Sequence, residues 1–186
     1  MSIRERFRAF RARLRTDSQK GSAAIEFAFV APIFFVLLLG IFEAAIMFFS
    51  QAALQNAVTD MARQVRTGQV SSGGMTQAAF RTNICNKVSP LIACNTNLQV
   101  DVESFSSYGN VTFTSPLKSD NSLDTSLNNY SIGGACDVVL VRAFYTWPVA
   151  TPVLSWFLVN MAGNKHLVTA TAAFRNEPYT TSTGGC

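Results

Sequence analysis

Apolar residues run almost unbroken from Phe27 to Phe49, with Glu43 the one charge among them. At the rise of an α-helix these 23 residues reach roughly 34 Å, enough to cross the hydrocarbon of a bilayer with some tilt. The pattern does not stop at the far interface. Leu54, Val58, Met61 and Val65 recur at spacings of 4, 3 and 4 among Gln, Asn, Thr, Asp and Arg, so the helix is expected to continue into water with one apolar stripe. The stretch from Gly21 to Arg66 therefore reads as one rod, a membrane span that becomes the spine of a soluble domain.

Beyond the rod, Gly68 and the SSGG of 71–74 supply residues suited to a helix C-cap and a turn. Residues 75–87 read as a short helix with Met75, Ala79, Phe80 and Ile84 on one side, stopped before Pro90. In 98–105, Leu98, Val100 and Val102 alternate with Gln99, Asp101 and Glu103, the period-2 mark of a half-buried strand. Residues 111–113, after a Tyr-Gly-Asn turn, are expected to pair back on it. Residues 115–134 are polar and turn-rich and read as a loop. Residues 136–147 are β-branched and aromatic on both faces apart from Arg142, as a central strand requires, with Pro148 as the stop. Residues 153–161 are apolar but too short to span a bilayer; a buried helix, a lip on the membrane and a contact for another subunit are all open, with core packing the plainest choice. Residues 166–179 complete an antiparallel sheet against the rod. The fold class is α+β, organised as 1–21, a basic leader; 22–68, the transmembrane helix and its soluble extension; and 69–186, an outer α+β domain.

Charge sharpens this picture. The formal net charge of +4 is unevenly spread: residues 1–20 hold seven Lys/Arg against Glu5 and Asp17, whereas residues 50–186 hold eight against seven Asp/Glu. Basicity is thus a property of the leader, and no nucleic-acid surface is expected. Positive charge flanking an apolar helix is retained on the cytoplasmic side, which directs the domain after Arg66 outward; the same segment suits contact with anionic lipid heads. A secretory signal peptide fits less well, because its apolar region is about 7–15 residues long and is followed by a cleavage site of small residues.

Four cysteines, Cys85, Cys94, Cys136 and Cys186, all follow the span. Four allow three pairings, and an outward compartment permits disulfides. The expected bridges are Cys85–Cys94, closing a short loop, and Cys136–Cys186, pinning the tail to the central strand. These spacings do not suit zinc. Chemistry finds little else to work with: His166 is the only histidine, Asp120 and Asp124 lie in a turn-rich loop that supports a calcium site only weakly, and no nucleophile elbow or phosphate-cradling loop occurs. No enzyme, cofactor or metal is expected.

Two acidic residues carry more information. Glu26 opens the apolar run five residues after Gly21 in GSAAIEF, where a carboxylate needs a partner to enter lipid. This segment resembles the prepilin-peptidase site of type IV pilins, in which cleavage after the glycine leaves the glutamate fifth in the mature chain. The whole of 21–66 resembles more closely the TadE-like pilus-assembly proteins of tight-adherence pili. The matching residues are Glu26, Phe27, Ala28, Pro32, Leu37, Leu38, Leu39, Gly40, Glu43, Gln51 to Ala57, Ala62, Arg63 and Gly68. The run from Val138 to Tyr179, with FRNEPY near its end, is also similar to that family, so that the resemblance covers about half the chain.

The resemblance implies a type IV pilin-like fold, cleavage between Gly21 and Ser22, and subunit pairing through Glu26 and Phe27. After cleavage the amino group of Ser22 would lie about one turn from Glu26, able to neutralise it in the same subunit or the next. Glu43 near the outer interface is open to hydration, snorkelling or a partner helix, and Ala44, Ala45, Ala52 and Ala53 allow close helix approach. The expected protein is a minor pilin or pseudopilin of a tight-adherence pilus, held in the bacterial inner membrane with its amino end cytoplasmic. Its implied partners are a sibling minor pilin, the major pilin, the inner-membrane assembly platform and the prepilin peptidase. The alternative is an uncleaved, signal-anchored envelope protein whose outer domain binds a ligand such as a glycan.

Overall fold

The computed structural model describes residues 3–94, 97–151, 155–178 and 186, with residues 3–20 as backbone only. It forms two compact units, Met1–Phe42 and Glu43–Cys186. Helix α1, Ile3–Arg66, runs through both without interruption. Pro32 lies inside it, where it removes one backbone hydrogen bond without ending the helix.

In the first unit, Ile25, Phe27, Phe29, Val30, Ile33, Phe34, Phe35, Leu37, Leu39, Ile41 and Phe42 are all exposed. A helix that exposes so many apolar side chains is built for lipid or for other helices. Among the described residues, this is the one helix long and apolar enough to cross a membrane.

In the second unit the same helix changes character. Leu54, Val58 and Met61 are wholly buried and Val65 nearly so, together with Met47 and Ala57, while Gln51, Ala52 and Asn56 between them are exposed. The helix ends where Gly68 adopts φ 75°, a left-handed conformation that glycine takes without a Cβ penalty; its N–H and that of Thr67 bond back to Val65 and Arg63 carbonyls. A single turn, α2 (Gln69–Ser72), follows, then α3 (Gln77–Val88). The Thr76 hydroxyl caps α3 by accepting from Ala79 N at 3.3 Å. Ser89, extended as a residue before proline should be, stops it. Its buried face is Phe80, Ile84 and Val88; Ala79, expected on that face, is exposed.

Strands β1 (Leu98–Phe105), β2 (Val138–Pro148) and β3 (Lys165–Arg175) form one antiparallel sheet in the order β1-β2-β3. The central strand is β2. The expected pairing of 111–113 on β1 does not occur: those residues form no strand, Phe113 is 70% exposed, and β1 pairs along its whole length with β2 instead. The longer, β-branched β2 offers a full ladder and buried neighbours, which three residues after a tight turn cannot match.

The sheet is covered on both faces. Val100 and Val102 of β1, Val139, Val141, Ala143 and Tyr145 of β2, and Val168 and Ala170 of β3 share one core with the α1 stripe and with α3. On the other face the loop 115–134 folds back, and its Leu127 packs with Phe144, Met161 and Leu167 in a smaller cluster edged by Leu117 and Leu123. Cysteines pair as Cys85–Cys94 and Cys136–Cys186. The second bridge ties residue 186 across 50 positions to the start of β2.

The run 153–161 is only partly core: Leu158 packs against the main cluster and Met161 is buried in the smaller one. Of its described residues, Ser155–Leu158 form one helical turn, α4, on which Trp156 is 73% and Phe157 66% exposed. Core packing therefore holds for Leu158 and Met161 but not for Trp156 and Phe157, and the helix is a single turn. Val153 and Leu154, like Tyr179 at the end of the C-terminal run, lie outside the described residues.

Replacing Leu54 or Met61 by Ala should destabilise the outer unit by about 2–5 kcal/mol, the range for large-to-small changes at fully buried sites. Asn56→Ala on the exposed face of the same helix should stay within about 0.5 kcal/mol of the parent. Denaturant unfolding of the detergent-solubilised chain, followed by its tryptophan signal, checks the contrast.

Candidate functional site

The candidate processing site is helical. Gly21, Ser22, Glu26 and Phe27 lie within α1 and are all exposed. The Ser22 hydroxyl donates to Glu26 Oε1 at 3.3 Å, one turn away. Gly21 is not demanded by packing: a Cβ built there meets nothing within 4 Å. Glycine inside a helix costs about 1 kcal/mol relative to alanine.

Glu43 is engaged within its own unit. Its Oε1 accepts from Ala150 N at 2.5 Å and its Oε2 from Thr151 N at 2.8 Å. These N–H groups follow the end of β2, where no further ladder is available to them, and the carboxylate satisfies two orphan donors at once. A partner helix seeking Glu43 would have to displace them.

The sequence also hid a buried ionic cluster. Asp101 and Arg142 sit opposite each other in the β1–β2 register. Arg142 reaches Asp101 Oδ2 with Nε at 3.1 Å and Nη2 at 2.6 Å, Glu103 Oε1 with Nη2 at 2.9 Å, and the Thr114 carbonyl with Nη1 at 2.9 Å. Asn129 donates both its backbone and side-chain N–H to Asp101 Oδ1, at 2.9 and 3.1 Å. Alternation alone sets Asp101 on a solvent face, but the returning loop buries that residue completely. The cluster thereby fastens residues 114 and 129 to the sheet. Burial, with Asp101 beside it, raises the pKa of Glu103, and Arg142 only partly offsets this.

The remaining carboxylates and the histidine serve local structure. Asp120 Oδ1 accepts from Ser122 N and Oγ, and Asp124 Oδ1 from Ser126 N and Oγ; these hydrogen bonds lower both pKa values. His166 Nδ1 lies 2.5 Å from the Leu158 carbonyl oxygen. Among the described residues no group of three or more His, Cys, Asp or Glu is placed to hold a metal ion.

Gln55, in sequence only one residue of the family pattern, meets the edge of the sheet. Its Nε2 donates to Thr171 O at 3.0 Å and its Oε1 accepts from Thr171 N at 3.1 Å. One side-chain amide thus stands in for a fourth strand at β3.

Residues 21–63 match the family model described as TadE-like protein. The match takes in Gly21, Ser22, Glu26, Phe27, Glu43 and Gln55, and it does not extend to the run from Val138 to Tyr179. No curated protein and no solved structure matches the chain.

Arg142→Ala, which leaves the Asp101 carboxylate buried without its cation, should cost about 3–5 kcal/mol. Lys87→Ala, which breaks the exposed 3.0 Å pair with Asp60, should cost at most about 1 kcal/mol. Glu103 holds its proton more tightly folded than unfolded, so its contribution to stability falls as pH rises through and above the ordinary carboxylate range. Unfolding measured across that range should show the Glu103→Gln variant losing less stability on alkalinisation than the parent.

Proposed function

We propose, from the TadE-like helix of residues 21–63, that this protein is a minor pilin or pseudopilin of a tight-adherence pilus. The observation that carries the reading is the bare apolar surface from Ile25 to Phe42, with an exposed glutamate at residue 26 one turn from residue 22. The leader keeps the amino end cytoplasmic, and the disulfide-bonded unit faces the periplasm. Prepilin peptidase cuts between Gly21 and Ser22, and the new amino group neutralises Glu26 in the same or a neighbouring subunit.

The bilayer stores the subunit until helices of the sibling minor pilin and the major pilin replace lipid around Phe27 to Phe42. The inner-membrane assembly platform drives that exchange. The protein's work is non-covalent: it catalyses nothing, and its outer unit offers a surface for priming or capping the fibre.

Intact-mass measurement of the chain co-produced with a prepilin peptidase is expected to give a protein beginning at Ser22, and an intact Met1 end under the same conditions would favour an uncleaved signal anchor and overturn the proposal. Glu26→Ala should still be cut yet fall at least tenfold in sheared fibres and in co-purification with its sibling pilin. Unchanged recovery would remove Glu26 from the assembly step.

A further inference from the structure

The outer unit exposes large apolar side chains on two of its elements. Ile46, Phe48 and Phe49 on α1 are exposed, and so are Trp156 and Phe157 on α4, whose rings stack with centroids 3.5 Å apart. This aromatic turn is held in place from two sides. Before it, the backbone N–H groups of Ala150 and Thr151 are fixed on the Glu43 carboxylate, and Asn164 donates its amide to the Val149 carbonyl at 2.8 Å. After it, the Leu158 carbonyl meets His166, and Asn160 Oδ1 accepts from Leu167 N at 2.7 Å. Two large aromatic side chains held in water by built contacts need a reason, since burying each is worth about 1.5–3 kcal/mol.

The level of the turn along α1 supplies one. About 20 helical residues cross the hydrocarbon of a bilayer, so a crossing that begins at Glu26 ends at about residue 46, within one turn of Glu43. Glu43 is the residue to which the approach to α4 is tied. Tryptophan is enriched at this depth, where an apolar ring meets a hydrated layer that can accept its N–H. The same position accounts for Glu43: a carboxylate near hydrocarbon must be satisfied by donors, and Ala150 and Thr151 satisfy it.

We propose that the Trp156–Phe157 turn is a membrane-interface anchor, seated with Phe48 and Phe49 in the outer head-group layer of the bilayer that α1 crosses. The occupant is lipid, because Phe48 and Phe49 continue along α1 the apolar run that spans the membrane. The turn holds the outer unit down on the membrane while the subunit is stored there. This inference rests on α1 crossing a bilayer and is independent of the pilus role.

The test uses the full chain in nanodiscs loaded with one copy each, comparing the parent with Trp156→Phe, a change at an exposed site that leaves the core untouched. The fluorescence attributable to Trp156 is the difference between the two. It is expected to be quenched several-fold by lipids brominated high on the acyl chain and to be shielded from aqueous acrylamide. Full acrylamide access with no quenching by brominated lipid would overturn the proposal. Shielding that appears only when discs hold two copies would also overturn it, assigning the patch to a second subunit. Neither result bears on cleavage at Gly21, which the mass measurement reads separately.

Discussion

Burial of the Leu54–Val65 stripe of α1 is the constraint on which the outer unit depends. A three-stranded sheet with one helix beside it buries little surface, and β2 carries bulky side chains on both faces. The stripe provides the wall against which Val139, Val141 and Tyr145 can be removed from water. Without it the shared core would lose Leu54, Val58 and Met61, all of which it buries completely. The helix therefore carries two patterns, widely exposed and apolar before Phe42 and striped after Ser50, where the unit's own sheet covers the stripe. Loop 115–134 covers the remaining sheet face, and the Arg142 cluster holds it there at the cost of desolvating Arg142 and Asp101.

The two carboxylates of the apolar run show how differently one chain treats the same problem. Glu43 is satisfied by backbone donors from the strand end that packs beside it, so it belongs to the architecture of the outer unit. Among the described residues Glu26 meets the Ser22 hydroxyl one turn away, and it stands exposed beside Phe27 and Phe29. A charge left that way in an apolar surface is either at an interface or awaiting a partner.

Much of this was legible from periodicity. Positions 54, 58, 61 and 65 announced a buried stripe, residues 136–147 a central strand and residues 98–105 a half-buried one, because each pattern persists long enough for its period to be unambiguous. What was not legible depended on contacts distant in sequence. Asp101 alternates like a solvent residue, and only a loop returning at residue 129 buries it. The 111–113 segment has β-forming residues but lost β1 to a longer competitor later in the chain. Trp156 and Phe157 look like core by type, yet their one-turn helix leaves both rings exposed. Glu43 carried no sign that Ala150 and Thr151 would claim it. At the candidate processing site the residues themselves were readable, since Gly21, Ser22 and Glu26 act through local helical spacing.

The central claim, that one helix is both the membrane segment and the structural spine of the outer unit, is tested most directly by native-state hydrogen exchange of the lipid-embedded chain. Amides of residues 54–65 should exchange only with those of β2, at the free energy of global unfolding of the unit. If residues 54–65 open and exchange while β2 remains protected, the helix is an appendage of the sheet rather than its spine, and the claim fails.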